Sequence, residues 1–452
     1  MVEQRDPESL VTELLLRCVR HALASIAPES VPDRDARAHL GIAAQLVNLL
    51  LARRQLAPQL EKEREQRLRE LLGSTAGDAD VLRQASLLLS RMVASGGHEA
   101  QLPDLVATLV HGIQAVQERT DELTAAGRRG ATALAQPPGE AAVARYLERY
   151  HPEAGRAIRV TVLPGGYSRE TILVETSGDG PGLVLRKVVD GRDPQWLPDE
   201  WQVLRHVAGR GLPAPRPLWY EDDPARLGNV FFAVTRMPGE SRVFALGAAG
   251  GVNPRIARSL AGVLAQLHAV DTRGLTATPV RPMSTPEQIR QAIDALSRPE
   301  DVLPRSQDPL FEPLLDWLRV NVPAPPPRPV LVHGDVGFHN VLVQGDEVTA
   351  LLDWERSHVG DPAEDLAYVR PGLSEVIAWE DFMQAYVAAG GTAPSQQSLH
   401  FYSVWQDVWR ASVCHDFRRR LEAEPEPRST EAIPSFIYGP RFVVAAARSA
   451  LR

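Results

Sequence analysis

The chain has 452 residues, with 49 lysines and arginines against 57 aspartates and glutamates, for a formal charge of −8. Hydrophobic residues at 44% and charged residues at 23% are an ordinary globular balance for about two to three domains, which excludes a chain disordered throughout. The acidic balance argues against nucleic acid and anionic membrane surfaces as partners, and the two cysteines, Cys18 and Cys414, make neither a disulfide framework nor a zinc ribbon.

The start, MVEQRDPESL, carries charges where a secretory signal needs an apolar core. No run of about 18 apolar residues occurs, so a cytoplasmic protein without membrane association is expected. Residues 1–130 then read as helices only. Leu10, Leu14, Leu15, Cys18, Val19, Ala22 and Ile26 recur every three or four positions until Pro28 and Pro32 break the pattern. A second run carries Leu40, Ala43, Ala44, Val47, Leu50 and Leu51. A third starts at Glu61 and pairs Glu63 with Arg67 and Glu65 with Arg69 on a solvated face. Runs from Asp80 to Ala94 and from Leu102 to Leu123 complete an expected independent bundle. His21, His39, His98 and His111 are scattered through it and form no catalytic cluster.

Glycines, small residues and Pro137-Pro138 make 131–139 a linker. Beyond it the character changes. IRVTVL from Ile158, TILVET from Thr171, GLVLRKVV from Gly182 and NVFFAVTRM from Asn229 read as strands, followed by a mostly helical region, which is an α+β arrangement. In LVLRKVV, Val184, Arg186 and Val188 share one face and Leu183, Leu185 and Lys187 the other, so only one basic residue can face a given side. The proline-rich VPAPPPRPV (322–330) is a stiff connector into the most informative segment.

That segment is LVHGDVGFHNVLVQGDEVTALLDWERSHVGDPAEDLAYV, residues 331–369. VLV after Asn340 and VTALLDW from Val348 flank a turn at Gly345-Asp346-Glu347, which predicts a hairpin. Its register sets Asn340 opposite about Leu352, with Asp353 beside it and Asp335 on the preceding loop. One amide oxygen, one carboxylate and a third nearby carboxylate suit Mg²⁺ with bound phosphates, because Mg²⁺ usually takes only one or two protein ligands. Asp and Asn also serve tight turns. Three of them at this spacing, between His333-Gly334 and Gly360-Asp361-Pro362, point to chemistry instead.

HGDVGFHN followed by LLDWE and GDPAEDLA resembles the aminoglycoside phosphotransferase and choline kinase group, relatives of protein kinases. The resemblance is nearest to the branch related to phosphotransferase domains fused to some acyl-CoA dehydrogenases, and covers about residues 140–452. It implies a bilobal protein-kinase-like phosphotransferase fold preceded by the all-α bundle, with an N-lobe at 140–240 and a C-lobe at 241–452. It implies ATP-dependent phosphoryl transfer to a hydroxyl of a small molecule. Asp335 would orient that hydroxyl and take its proton, and Asn340 and Asp353 would hold Mg²⁺ or Mn²⁺ against the phosphates. Gly165, Gly166 and Ser168 would belong to the loop covering the nucleotide. Arg186, where many relatives carry Lys, would bind phosphate and pair with Glu200. FFAVTRMPGES (231–241) would supply the hinge under adenine. His333 would prop the catalytic loop, and Asp361 and Asp365 would buttress the helical lobe. Trp379, Tyr386, Tyr402, Trp405 and Trp409 are available either to an acceptor pocket or to the core.

Two other readings compete. His333, Asp335 and His339 could form a metallohydrolase set, though a clear fourth ligand is lacking. A kinase-like fold could also serve as a binding or scaffold module. No G-x-x-x-x-G-K-[ST], G-x-S-x-G or H-E-x-x-H occurs, and GDGPG (178–182) runs into a strand and not a helix.

Overall fold

The computed structural model describes residues 33–72, 78–94, 102–125, 140–163, 169–177, 182–189, 197–241, 251–273, 275, 282–296, 309–423 and 429–450, with Thr12, Leu15 and Val19. The expected linker 131–139 and most of the first expected helix lie outside these residues. In chain order the elements begin with α1 (Asp33–Leu72), α2 (Asp78–Ala94), α3 (Leu102–Ala125) and α4 (Glu140–Tyr150). Next come β1 (Ala157–Leu163), β2 (Arg169–Thr176), β3 (Leu183–Val188), α5 (Leu197–Val207), β4 (Pro217–Glu221), β5 (Phe231–Thr235) and β6 (Glu240–Ser241). Then follow α6 (Pro254–His268), α7 (Pro286–Leu296), α8 (Phe311–Val320), β7 (Val330–Val332), β8 (Val341–Gln344), β9 (Glu347–Leu351) and β10 (His358–Gly360). The chain ends with α9 (Ala363–Leu373), α10 (Trp379–Ala388), α11 (Gln396–Ala423), α12 (Ser429–Ile433) and α13 (Gly439–Ala450). The protein is α+β, and no helix among the described residues is long and apolar enough to cross a membrane.

Two compact units divide these elements. One comprises Met1–Leu134, Arg290–Val322 and Ser403–Arg452; the other comprises Ala135–Ile289 and Pro323–Tyr402. This division differs from the expected bundle at 1–130 set apart from a lobe at 241–452. Leu15, Leu46 and Leu49 share one buried cluster with Leu421, Ala432, Phe436 and Ile437, and α2 packs on α8. An amphipathic stripe reveals that a helix face is buried but not which segment covers it. The second and third expected helices are also one helix, α1, which runs through Pro58. An interior proline costs about 3 kcal/mol. The buried side of α1 extends from Leu46 and Leu49 through Ala52 to Leu68, so packing on both sides of the proline outweighs that cost.

The second unit holds the five-stranded antiparallel sheet, in the order β1-β2-β3-β5-β4. Strand alternation gives it two faces. On one, Ile172, Val174, Leu183, Leu185, Phe231 and Ala233 pack against Val143, Tyr146 and Leu147 of α4. On the other, Phe232 of β5 meets Trp201 of α5, with ring centroids 5.7 Å apart. Edge strand β4 was hidden in the sequence by the prolines around it; Pro217 stands at its first position, where a strand tolerates proline. The unit also contains the three-stranded sheet β6-β8-β9 and the pair β10-β7. Helix α6 starts cleanly because the Asn253 side chain accepts hydrogen bonds from the N–H groups of Arg255 and Ile256, with Pro254 at the first helical position. Its Ile256, Leu260, Leu264 and Leu267 are buried, and it carries buried His268 at its C-terminal end.

Candidate active site

Strand β7 delivers the chain into His333-Gly334-Asp335, a loop held from below. The two carboxylate oxygens of Asp365, on α9, accept the backbone N–H groups of His333 and Gly334, each at 2.8 Å. Asp365 is backed by His268 Nε2 at 3.2 Å, and His268 Nδ1 lies 2.7 Å from the Tyr386 hydroxyl. Burial raises the Asp365 pKa, but the bonds from His268 and the loop outweigh it and hold the group below its ordinary value. Gly334 is required here: its φ is +76°, and a Cβ would lie 2.8 Å from the Arg356 carbonyl oxygen. The fully buried His333 ring accepts a hydrogen bond at Nδ1 from the Asp335 N–H at 3.3 Å and packs against Trp354. Burial lowers its pKa, so it stays neutral, with its proton on Nε2.

Asp335 itself is half-buried. Its Oδ2 accepts from Asn340 Nδ2 at 3.1 Å, and the same amide nitrogen donates to the Asp335 backbone oxygen at 2.9 Å. Its Oδ1 accepts a hydrogen bond from the Tyr368 hydroxyl, and His339 Nε2 lies 3.7 Å away. Desolvation alone would raise this carboxyl. His339, Arg356 and the Tyr368 hydroxyl outweigh it and hold Asp335 well below the usual carboxylate range. An ionised carboxylate at this position can accept a proton.

The hairpin has the expected register. Val341 pairs with Leu351 across β8 and β9, and the Leu352 N–H donates to the Asn340 backbone oxygen at 2.8 Å. Asp353 follows with φ +65°; among the described residues no other non-glycine residue has a positive φ. Asp and Asn are the residues that best tolerate this left-handed conformation, and such strain concentrates at functional sites. Arg186 Nη2 on β3 donates to Asp353 Oδ1 at 2.9 Å and lies 3.5 Å from Glu200 Oε1. Its Nη1 donates to Thr171 Oγ1 on β2, the partner of Arg186 in the strand register. Lys187 turns to the opposite face, where its ammonium pairs with Glu170 at 2.9 Å in a buried site.

Glu200, Asp353 and Glu355 each offer a carboxylate oxygen within 4.8 Å of the others. Burial, then the Asp353 charge, push Glu355 up to about 7 and raise Glu200 as well. Buried Glu200 Oε2 has no hydrogen-bond partner. Several hard oxygens with an unsatisfied one among them are a donor set that fits Mg²⁺ or Mn²⁺.

Of the residues singled out in the sequence, the structure brings Asp335 together with Asn340, and Arg186 with Glu200 and Asp353. Gly165, Gly166 and Ser168 lie outside the described residues. The metallohydrolase set does not assemble: among the described residues the convergent metal-ligand group is Glu200, Asp353 and Glu355, while His333 is turned into the core against Trp354. Tyr386, Tyr402 and Trp405 are buried core residues. Sequence reasoning missed Glu355, Arg169, whose guanidinium lies 3.8 Å from Glu355, and Tyr368. Tyr368 stands three residues after Asp365 on one helix, a spacing that puts both on the same face and could have revealed it.

The chain matches the phosphotransferase enzyme family over residues 159–402. Acyl-CoA dehydrogenase family member 11 of Gallus gallus is 31% identical over 236 residues, which cover 50% of this chain and 30% of that protein. The chain thus spans about a third of the length of that relative, whose name describes it as a whole. Homoserine kinase of Methylocella silvestris is 28% identical over 235 residues, 50% of this chain and 68% of that protein. A solved structure from Ralstonia eutropha, provisionally described as an aminoglycoside phosphotransferase, superposes with a TM-score of 0.51 at 18% identity, over 69% of this chain and 97% of that one. That superposition supplies the kinase-like fold, the family match covers more than half of the sequence, and the chain accordingly belongs to the phosphotransferase enzyme family.

Proposed function

We propose that the protein transfers the γ-phosphoryl group of ATP to a hydroxyl of a small molecule, with Asp335 as the base. The observation that carries this reading is the geometry at Asp335: a carboxylate fixed by Asn340 and Tyr368 on a loop clamped by Asp365. The acceptor O–H gives its proton to Asp335 as its oxygen bonds to the γ-phosphorus. The bond from that phosphorus to the bridging oxygen of ADP breaks, and ADP leaves with the electron pair. Positioning and charge neutralisation supply most of phosphoryl-transfer catalysis, which is what a rigid loop and a fixed Arg186 offer.

Asn340 and Asp353 would hold Mg²⁺ or Mn²⁺, with Glu355 and Glu200 beside Asp353. A divalent ion there would neutralise phosphate charge. Arg186, anchored by Thr171 and Glu200, presents a planar fork suited to phosphate oxygens. The relative named homoserine kinase supports a small hydroxyl compound as acceptor. The test is a screen of ATP consumption with Mg²⁺ across hydroxyl metabolites. At least one compound is expected to raise ADP release well above the rate with ATP alone. Failure to bind ATP with Mg²⁺ at all would favour a scaffold role instead.

A further inference from the structure

Both oxygens of the Asp335 carboxylate are engaged. Oδ2 accepts from Asn340, and Oδ1 accepts from the Tyr368 hydroxyl. The second contact is built into the fold. Tyr368 lies on α9 about one turn after Asp365, so the helix that clamps the loop also directs the hydroxyl at it. Gly337 provides the room: a Cβ there would run into the His339 ring and lie 3.1 Å from Tyr368 Cε1. The Asp335 side chain is nevertheless 22% exposed, so solvent reaches the carboxylate.

We propose that the Tyr368 hydroxyl occupies the place of the acceptor hydroxyl on Asp335 and thereby guards the site against ATP hydrolysis. The proposal rests on the phosphotransfer reading. A base that takes a proton from an alcohol can take one from water. In that side reaction the water proton passes to Asp335, the water oxygen bonds to the γ-phosphorus, and the bond to ADP breaks, giving ADP and phosphate. Suppressing it is a general need of transfer sites. While Tyr368 donates to Oδ1, a lone water must displace a hydroxyl fixed on a helix. A true acceptor is also held by its other groups, and that binding energy drives the displacement. Tyr368 is therefore a positioning residue that acts through Asp335.

The experiment uses the full chain with ATP and Mg²⁺ alone, water being the acceptor. ADP release and ATP affinity are measured for the wild type, Tyr368→Phe, Asp335→Asn and the double variant. Tyr368→Phe is expected to raise acceptor-independent ADP release about tenfold, the low end for loss of one hydrogen bond to a charged group. The double variant should fall back to the Asp335→Asn rate, and ATP affinity should stay within about twofold throughout. Tyr368→Met, which also lacks the hydroxyl, should move the rate in the same direction. A purely structural Tyr368 predicts unchanged or slower hydrolysis in both variants, and that result overturns the guard while phosphotransfer stands. If the wild type neither binds nor hydrolyses ATP with Mg²⁺, the phosphotransfer reading falls and the guard falls with it.

Discussion

Arg186 on β3 and Asp353 after β9, 167 residues apart in sequence, are joined by a charge-assisted hydrogen bond of 2.9 Å. The same guanidinium reaches Glu200 on α5, so one side chain ties a strand, a helix and the end of the hairpin together. Its charged state is reinforced: burial would lower the Arg186 pKa, but Asp353 and Glu200 raise it further. The neighbouring Lys187 belongs to a separate buried pair with Glu170.

These two basic residues should therefore fail differently. Arg186→Ala is expected to weaken ATP binding at least about tenfold, by loss of a charge-assisted contact worth roughly 1.5–3 kcal/mol. Lys187→Ala should leave ATP affinity near normal and lower stability by about 3–5 kcal/mol, because it breaks a buried ion pair and leaves Glu170 without its ammonium partner. Calorimetric titration with ATP and Mg²⁺, beside denaturant unfolding, separates the two effects. The opposite pattern would mean that the nucleotide lies on the α4 side of the sheet.

Metal dependence follows from the oxygen-rich donor set around Asp353. ATP should raise the Tm only with Mg²⁺ or Mn²⁺ present, by several degrees, since a ligand at about a hundred times its Kd adds about 2.7 kcal/mol. Asp353→Ala should remove the shift. Equal shifts with and without a chelator would contradict metal-bridged binding.

The shared cluster of Leu15, Leu46 and Leu49 with Leu421, Phe436 and Ile437 sets the outcome of truncation. A chain starting near residue 136 should aggregate, because the apolar faces after residue 403 lose their cover. In the intact chain, Phe436→Ala should cost about 3–5 kcal/mol by denaturant unfolding. A monodisperse truncated protein with a sharp thermal transition would show that the C-terminal helices need no partner from the N-terminal segment.

His358 and Glu364 form a buried pair 3.0 Å apart. Burial lowers the His358 pKa, but the charge and hydrogen bond of Glu364 outweigh it and raise the pKa above its ordinary 6.5. A group with a raised folded-state pKa adds stability that is full below its unfolded value and lost as pH rises through the folded one. The wild type should thus lose more Tm than His358→Gln between mildly acidic and mildly alkaline pH. Parallel Tm–pH curves for the two proteins would remove this pair from the pH response.

Much of the site could be read from sequence because it rests on local geometry. The turn at Gly345-Asp346 fixed the hairpin register that sets Asn340 beside Leu352, and strand alternation put Arg186 and Lys187 on opposite faces, while the choice of Arg186 as the partner of Glu200 came from the family resemblance. What escaped depends on contacts between segments distant in the chain. Tyr368 reaches Asp335 only because Asp365 docks α9 under the loop, and Arg169 reaches Glu355 from the first position of β2. The unit that joins the N-terminal helices to the segment after residue 403 was hidden for the same reason.

The most direct test follows label from γ-phosphate-labelled ATP into an acceptor found in the metabolite screen, for the wild type and Asp335→Asn. That substitution keeps the side-chain shape and removes the charge and the proton acceptor. Transfer should fall by at least about 10²-fold, the lower end of general-base contributions, with ATP affinity largely kept. Near-normal transfer by Asp335→Asn would contradict the account, because the ionised carboxylate at the centre of the site would then have no part in moving the phosphoryl group.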